Sequence, residues 1–260
     1  MKLKIYQVDA FASELFKGNP AAVVPLQEWL SDEIMQNIAA ENNLSETAFF
    51  IPENKSFHIR WFTPVSEVNL CGHATLATAH VLFNELNFQE EILSFISKSG
   101  ILTVRKIGDL LQLNFPADTV APEDSNPVFT EAFGFQATAT LKGRTDYLLQ
   151  FDSEEIIRNM KPNFHLLKQT DARGIIITAR GNEVDFVSRF FAPNEGIDED
   201  PVTGSAHTTL VPFWSDRLNK TEMTAFQLSE RGGQLWCSLK AERVLIAGKA
   251  ITYLRGEIEI

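Results

Sequence analysis

The segment NLCGHATLATAH, residues 69–80, places a cysteine, a glycine and a histidine directly ahead of a run of small apolar residues. Cys71 and His73 could act as a nucleophile and its base or as metal ligands, while Gly72 could open a helix whose N–H groups bind an anion. A structural zinc site normally has four ligands at recognisable spacings. Because no second pair of cysteines or histidines completes such a set, we expect no metal centre, and we expect His80 to be a core residue.

Two carboxylates could supply the remaining chemistry. Glu46, in ENNLSETAFF, stands between a predicted helix end and an apolar strand, a kind of junction where functional groups often gather. Asp200, in DEDPVTGS, precedes a second glycine-led helix, which it could equally well stabilise as a cap. A half-buried carboxylate such as Glu46 could remove a proton from the carbon next to a bound carboxylate and return it elsewhere. The developing charge would be stabilised by helix N–H groups, His73 and Ser205.

The elements around Glu46 can be predicted from short-range signals. Ser31 is a suitable N-cap for a helix that carries Ile34 and Ile38 on one face and ends near Asn42-Asn43. A short strand over 47–51 follows this helix. The side chain of Glu46 therefore marks the point where the chain enters that strand.

The chain also contains an internal repeat. The segments RWFTPVSEVNLCGHAT (60–75) and RFFAPNEGIDEDPVTGSAHT (189–208) share a strand, a proline, a loop, a glycine and a helix in the same order. Allowing for a longer loop in the second copy, Cys71-Gly72-His73 falls opposite Thr203-Gly204-Ser205. This correspondence predicts two similar lobes, divided near residues 116–125.

The two glycine-led helices are predicted to lie inside these lobes. ATLATAHVLF is apolar around nearly its whole circumference, which a surface helix would not be. Most strand pairs look like hairpins, which favours an α+β fold over a parallel doubly wound sheet. We expect each lobe to be a curved, mostly antiparallel sheet around a central helix, over 1–118 and 119–248, with strand 249–260 packing on the first. If the lobes face each other, the helix starts at Gly72 and Gly204 together form a cradle for a carboxylate-like anion.

Bulk properties limit the partners and the compartment. The formal net charge of −11 argues against nucleic acid or an anionic membrane surface as the main partner. The N-terminus has no signal-peptide pattern, and no apolar stretch is long enough for a membrane span. The two cysteines, Cys71 and Cys237, make no disulfide framework, so we expect a cytoplasmic protein. The cradle formed by the two helix starts would let this acidic protein bind a small anionic metabolite.

A series of motifs resembles the PhzF-like (phenazine-biosynthesis-like) isomerase family, within the diaminopimelate-epimerase-like fold. The motifs run along nearly the whole chain: VDAF at 8–11, KGNPAAVV at 17–24, NLSETAFF at 43–50, RWFTP at 60–64, LCGHATLATAH at 70–80, DPVTGSAHT at 200–208 and the closing TYLRGEIEI. Each motif is weak alone, but all of them in this order are specific.

The resemblance implies an active site between the lobes, acid–base chemistry without a cofactor and, commonly, a homodimer. Carried over residue by residue, it makes Glu46 the main proton-transferring group and places His73 and Asp200 at the other catalytic positions. The substrate-binding candidates are Gly72, Gly204, Ser205, Asn19, Ser45 and Cys71.

One difference from related enzymes of this fold argues against epimerisation by two cysteines as the reaction of this chain. Epimerases and racemases of this fold use two opposed cysteines, whereas here Cys71 holds the first position and Thr203 the second. A threonine hydroxyl is too weak an acid to serve as the partner base. We therefore expect a Glu46-driven isomerisation. The alternatives are an epimerase or racemase that pairs Cys71 with Glu46 or Asp200, and a binding protein without catalysis.

Overall fold

Short strands make up most of the structure, a computed structural model that describes residues 1–260. The predicted α+β class is confirmed. The chain divides into two units, the first formed by Met1–Phe115 with Ile246–Ile260 and the second by Pro116–Leu245. None of the helices combines the length and the apolar character that crossing a bilayer requires.

The first unit is a mixed sheet with two helices. Its elements are β1 (Lys2–Ala10), β2 (Asn19–Pro25), α1 (Asp32–Asn42), β3 (Glu46–Glu53), β4 (Ser56–Phe62), β5 (Glu67–Val68), α2 (Gly72–His80) with a π-helical turn (Val81–Glu85), β6 (Ile92–Ser97), β7 (Gly100–Ile107) and β8 (Leu110–Pro116). Strands β1–β2, β3–β4 and β6–β7 pair antiparallel, whereas β2–β3 and β4–β6 pair parallel.

The second unit has its own set of strands. Its elements are β9 (Ala121–Pro122), α3 (Pro127–Phe133), β10 (Ala139–Lys142), β11 (Asp146–Gln150), α4 (Glu154–Asn159), α5 (Phe164–Leu167), β12 (Gly174–Arg180), β13 (Phe186–Ala192), a 3₁₀ turn (Pro193–Glu195), β14 (Ile197–Asp200), α6 (Gly204–Leu218), β15 (Glu222–Gln227), β16 (Gly233–Lys240) and β17 (Arg243–Gly248). Strand β17 crosses the boundary between the units, because the first unit resumes at Ile246. The last strand, β18 (Ala250–Glu259), lies in the first unit and pairs antiparallel with β1.

Both units follow the same order of strand pairings. The run β10–β11–β12–β13–β15–β16 alternates antiparallel, parallel, antiparallel, parallel and antiparallel, as β1–β2–β3–β4–β6–β7 does. The internal sequence repeat therefore corresponds to a repeat of topology, which confirms the prediction of two similar lobes.

The glycine-led helices are the buried helices of their units. In α2 every residue from His73 to His80 is buried, and the helix packs against β1, β2 and β3. Helix α6 packs against β15 and β16 and buries most of its apolar side chains. His80 was expected in the core, and it is 9% exposed and hydrogen bonded at both ring nitrogens.

Helix α1 has the predicted ends. The Ser31 hydroxyl accepts a hydrogen bond from the backbone N–H of Ile34, and Asn43 ends the helix in the left-handed conformation, with φ of 49°. The predicted inner face is partly wrong, because Ile34 is 39% exposed while Met35 and Ile38 are buried. The buried face of the helix therefore includes Met35 in place of Ile34. The strand after the helix begins at Glu46, as predicted.

The same ion pair supports the strand before each buried helix. In the first unit Arg60 binds Glu67 through two N–H groups, at 2.7 and 2.9 Å. In the second unit Arg189 binds Glu199 in the same way, at 2.7 and 2.8 Å. Each guanidinium lies 5.1 Å from the ring centroid of the phenylalanine two residues on along its strand. These pairs fix the loops that lead into α2 and α6.

Candidate active site

The start of α2 leaves backbone donors available. Cys71 precedes the helix in an extended conformation, and its side chain makes no capping hydrogen bond. The hydroxyl of Thr75 instead donates to the Cys71 carbonyl, at 2.5 Å. Because the first-turn N–H groups of a helix have no partner within the helix, this end can accept an anionic group.

Glu46 and His73 meet beside this helix start. Glu46 is the first residue of β3, and its Oε2 lies 3.1 Å from Nε2 of His73, the second residue of α2. The two side chains are 12% and 6% exposed. The contact lacks the angles of a hydrogen bond, and neither atom has another hydrogen-bond partner. A proton acceptor and a proton donor thus lie side by side, and Oε2 of Glu46 and Nε2 of His73 can both still hydrogen bond to a substrate.

Asn19 and Ser45 lie on the other side of the His73 ring. The Ser45 hydroxyl donates to Oδ1 of Asn19 at 3.3 Å, which leaves Nδ2 of Asn19 facing Nδ1 of His73 at 3.2 Å. An amide N–H facing Nδ1 places the hydrogen of a neutral ring on Nε2, and a protonated ring carries hydrogen on both nitrogens. In either form Nε2 bears a hydrogen, which leaves the Glu46 carboxylate as the proton acceptor of this pair.

Cys71 is a poor nucleophile in this setting. Its sulfur lies 3.6 Å from Nδ1 of His73. Burial, with a further contribution from the charge of Glu46, raises the pKa of the Cys71 thiol. Burial by itself lowers the pKa of His73, but the neighbouring Cys71 and Glu46 outweigh it and raise that pKa well above its ordinary range. The raised pKa of Cys71 disfavours its thiolate, and the raised pKa of His73 favours a protonated imidazole.

The arrangement suits proton transfer better than metal binding. The ligand atoms of Glu46, Cys71 and His73 lie within 4.8 Å of one another. However, Sγ approaches Nδ1 of the ring while Oε2 approaches Nε2. The lone pairs of these two nitrogens diverge, so one ion cannot use both sides of the ring. The three side chains form a sequence of proton-bearing groups and do not converge on a common point.

The start of α6 carries a different polar network. Thr203, the residue before the helix, donates from its hydroxyl to Oδ2 of Asp200 at 2.5 Å. Gln227, at the end of β15, accepts from the Thr203 backbone N–H at 2.8 Å and donates to the Asp200 carbonyl at 2.8 Å. Gly204 is buried, whereas Ser205 is exposed. Asp200, Gly204 and Ser205 therefore lie together within the second unit.

Sequence reasoning missed Gln227. This residue is fully buried and fixes the loop before α6, yet it stands 24 residues after Thr203 in the chain. A signal was present in EMTAFQ, where Met223, Ala225 and Gln227 alternate as inward positions. A glutamine that continues a buried apolar alternation must find hydrogen-bond partners inside the protein.

Similarity to known proteins agrees with the fold and the motifs. The family model described as phenazine biosynthesis-like protein matches residues 8–256. The chain belongs to the phenazine biosynthesis-like family. An uncharacterised isomerase of Pseudomonas aeruginosa is 51% identical over 260 residues, covering 100% of both chains. Such relatives confirm the prediction of an enzyme of an isomerase family.

Solved structures extend this family similarity to the fold. A PhzF-family phenazine biosynthesis protein of Enterococcus faecalis is 48% identical, with a TM-score of 0.98 and coverage of 100% of both chains. A hydroxyproline epimerase of Agrobacterium vitis has a TM-score of 0.67 at 9% identity, covering 99% of this chain and 92% of the epimerase. The second likeness concerns the fold alone, and it agrees with the expected epimerase-like architecture.

Proposed function

We propose that this member of the phenazine biosynthesis-like family isomerises a small carboxylate-containing metabolite by moving a proton, without a cofactor. The observation that carries the proposal is the buried pair formed by Glu46 Oε2 and His73 Nε2, 3.1 Å apart beside the uncapped start of α2. A base, a hydrogen-bond donor and an anion-binding helix end within one unit are the parts that such a reaction needs.

Glu46 is the base in this mechanism. Its carboxylate removes a proton from the carbon next to the substrate carboxylate, and the bonding electrons move onto that carboxylate as an enediolate. The substrate carries a carbon–carbon double bond beside that carbon, so the protonated Glu46 returns the proton to the far end of this double bond, which shifts by one position toward the substrate carboxylate. The product has the composition of the substrate, so no oxidant or reductant is required.

His73 and the helix start stabilise the intermediate. In this proposal the N–H on Nε2, 3.1 Å from the Glu46 carboxylate, donates to the developing charge, and the first-turn N–H groups of α2 are further donors. Gly72 presents no side chain there, which lets the substrate approach the backbone closely. We assign Asn19 and Ser45 as positioning residues, because their hydrogen bonds point the amide N–H at Nδ1 of His73.

Solvent-deuterium incorporation tests the proposal. Wild-type protein in heavy water is incubated with a panel of small unsaturated and hydroxylated carboxylic acids, and carbon-bound deuterium is measured by mass spectrometry. We expect incorporation into at least one acid, its loss in Glu46→Gln, and its retention in Glu53→Gln, which changes an exposed glutamate at the other end of β3. Full incorporation by Glu46→Gln would show that another group is the base.

An epimerase that uses Cys71 is the second candidate, since Sγ lies 3.6 Å from the His73 ring. The raised pKa of the buried thiol and the use of the Thr203 hydroxyl as a donor to Asp200 both weigh against it. Loss of turnover on alkylation of Cys71, together with a harmless Glu46→Gln, would favour this candidate. A binding protein without catalysis predicts no incorporation by the wild type.

The remaining expectations are separate proposals. Participation of Asp200, Gly204 and Ser205 predicts that Asp200→Asn slows turnover, while Asp198→Asn, at an exposed position of β14, leaves it unchanged. A homodimer predicts twice the chain mass in sedimentation. A cytoplasmic location predicts recovery in the cytosolic fraction.

A further inference from the structure

A polar cavity lies in the first unit, at the other end of α2 from His73. Its volume is about 290 Å³, near the lower end of the range for small-molecule sites. The polar part of the lining comes from Ser13, His80, Asn84, Lys106, Asp109 and Lys249. His80 is the last residue of α2, and Asn84 lies in the π-helical turn that follows it.

The charged groups around this cavity favour an anion. Lys106, on β7, and Lys249, between β17 and β18, both line the cavity, and Asp109 is its single acidic residue. The chain as a whole has the opposite balance, with a formal net charge of −11. Two lysines on one small concave surface are therefore a local exception in an acidic protein.

A directed chain of hydrogen bonds fixes one wall. The Thr252 hydroxyl donates to Glu85 at 2.7 Å, so it accepts from Nε2 of His80 at 3.0 Å. Nδ1 of His80 then accepts from the side-chain amide of Asn84, at 2.9 Å. The Asn84 oxygen is left facing the Lys106 ammonium, at 3.5 Å. These successive hydrogen bonds fix the orientations of the His80 and Asn84 side chains in the cavity wall before any ligand binds.

Apart from Asp109, the neighbouring ionisable groups do not repel an anion. Burial lowers the pKa of His80 to about 4, so this histidine is neutral at pH 7. Glu85 is neutralised by two hydrogen bonds from Arg255, at 2.6 and 2.7 Å. The two lysines thus determine the sign of the potential in the cavity, and the second amide hydrogen of Asn84 and the Ser13 hydroxyl can donate hydrogen bonds.

We propose that this cavity is a second binding site, for a small anion with two negative charges such as a phosphate or a dicarboxylate. Two lysine ammonium groups act as point charges on the ligand, and the Asn84 amide and Ser13 hydroxyl orient it. The site is built from side chains other than those of the proposed reaction, so its failure leaves the role of Glu46 unaffected.

Calorimetric titration tests this site. Inorganic phosphate and succinate are titrated separately into wild type, into Lys106→Gln/Lys249→Gln, and into the matched control Lys55→Gln/Lys161→Gln, which removes two exposed lysines elsewhere. We expect the first double variant to bind at least about tenfold more weakly than the wild type, and the control to bind as the wild type does.

Each outcome of this titration is decisive. Binding of phosphate alone identifies a tetrahedral oxyanion site, and binding of succinate alone identifies a dicarboxylate site. Absence of binding by the wild type at millimolar ligand, or equal weakening in both double variants, overturns the proposal. Circular dichroism checks folding, and the single Lys249→Gln variant replaces the double variant should that variant not fold.

Discussion

The starts of α2 and α6 share a scaffold and differ in chemistry. Arg60 with Glu67 supports the first as Arg189 with Glu199 supports the second, with nearly identical distances. In each helix a side chain also hydrogen bonds to the carbonyl of the residue that precedes the helix. The Thr75 hydroxyl binds the Cys71 carbonyl in α2, and Nδ1 of His207 binds the Thr203 carbonyl in α6. The two copies of the repeat therefore share the ion pair and the side-chain hydrogen bond that hold the start of the buried helix in place.

The difference lies in which titratable groups each helix start carries. Thr47 pairs with Phe62 in the first unit and Ile175 with Phe191 in the second, so the position of Glu46 corresponds to Gly174. A Cβ atom at Gly174 would lie 2.4 Å from the ring of Phe190 and 2.6 Å from the carboxylate of Asp146. The second unit has no room for a glutamate there, so only the first can hold the Glu–His pair.

The largest expected effect is on the rate of deuterium incorporation, which should depend far more on His73 than on its counterpart Ser205. We expect His73→Asn to slow deuterium incorporation by roughly two to three orders of magnitude, because the donor on Nε2 is lost from the developing charge. Ser205→Ala, at an exposed position, is expected to lose less than about tenfold. Equal losses in the two variants would contradict the asymmetry between the units.

The two arginine scaffolds should differ in their contribution to stability. Arg189 also donates to two buried carbonyls, those of Ile157 and Met160, at 3.1 and 2.7 Å. We expect Arg189→Met to lower the free energy of unfolding by about 3–5 kcal/mol, because these carbonyls and Glu199 lose their partner. Arg60→Met should cost about 1–3 kcal/mol, since Lys98 still pairs with Glu67. Denaturant unfolding measures both, and a larger loss for Arg60→Met would reverse the comparison.

A pH-dependent difference should arise at His207, which stands where α2 has Thr75. Burial lowers the pKa of His207 from 6.5 to about 4. Between these values the unfolded chain binds a proton that the folded protein does not, so the free energy of unfolding falls as pH falls through this window.

Removing His207 should therefore flatten the pH profile of stability. We expect His207→Thr to reduce the loss between pH 6.5 and pH 4 by up to about 3 kcal/mol. Unfolding at both pH values measures the effect, and His165→Thr, at an exposed histidine, is the control. An unchanged slope in His207→Thr would mean that this histidine titrates normally.

A modest effect on stability is expected at Gln227. Gln227→Leu leaves the Thr203 backbone N–H buried without its acceptor, which costs about 1–3 kcal/mol of unfolding free energy. Gln169→Leu, at an exposed position, should change stability little. A thermal melt compares the two variants, and equal melting temperatures would remove Gln227 from the scaffold of α6.

Local signals predicted the parts of the molecule that local physics controls. Ser31 as a cap, the all-round burial of α2 and the order of the repeat follow from residues close together in the chain. The position of Glu46 as the first residue of β3 belongs to the same group.

Long-range partners could not be predicted in the same way. Asn19 lies 54 residues before His73, and Gln227 lies 24 residues after Thr203. Their pairing depends on which strands become neighbours, and the identity of a single amide residue does not specify that. The exclusion of a glutamate at Gly174 likewise depends on the ring of Phe190, a packing detail of the folded sheet.

Nitrogen-15 NMR of the His73 ring is the most direct test of the account, because the proposed role of Glu46 requires hydrogen on Nε2. Histidine-labelled protein is compared with His73→Asn to assign the ring signals. Between about pH 6 and about pH 8 we predict a protonated Nε2 in the wild type. A bare Nε2 with hydrogen on Nδ1 would place the proton on Glu46 and contradict its role as the base.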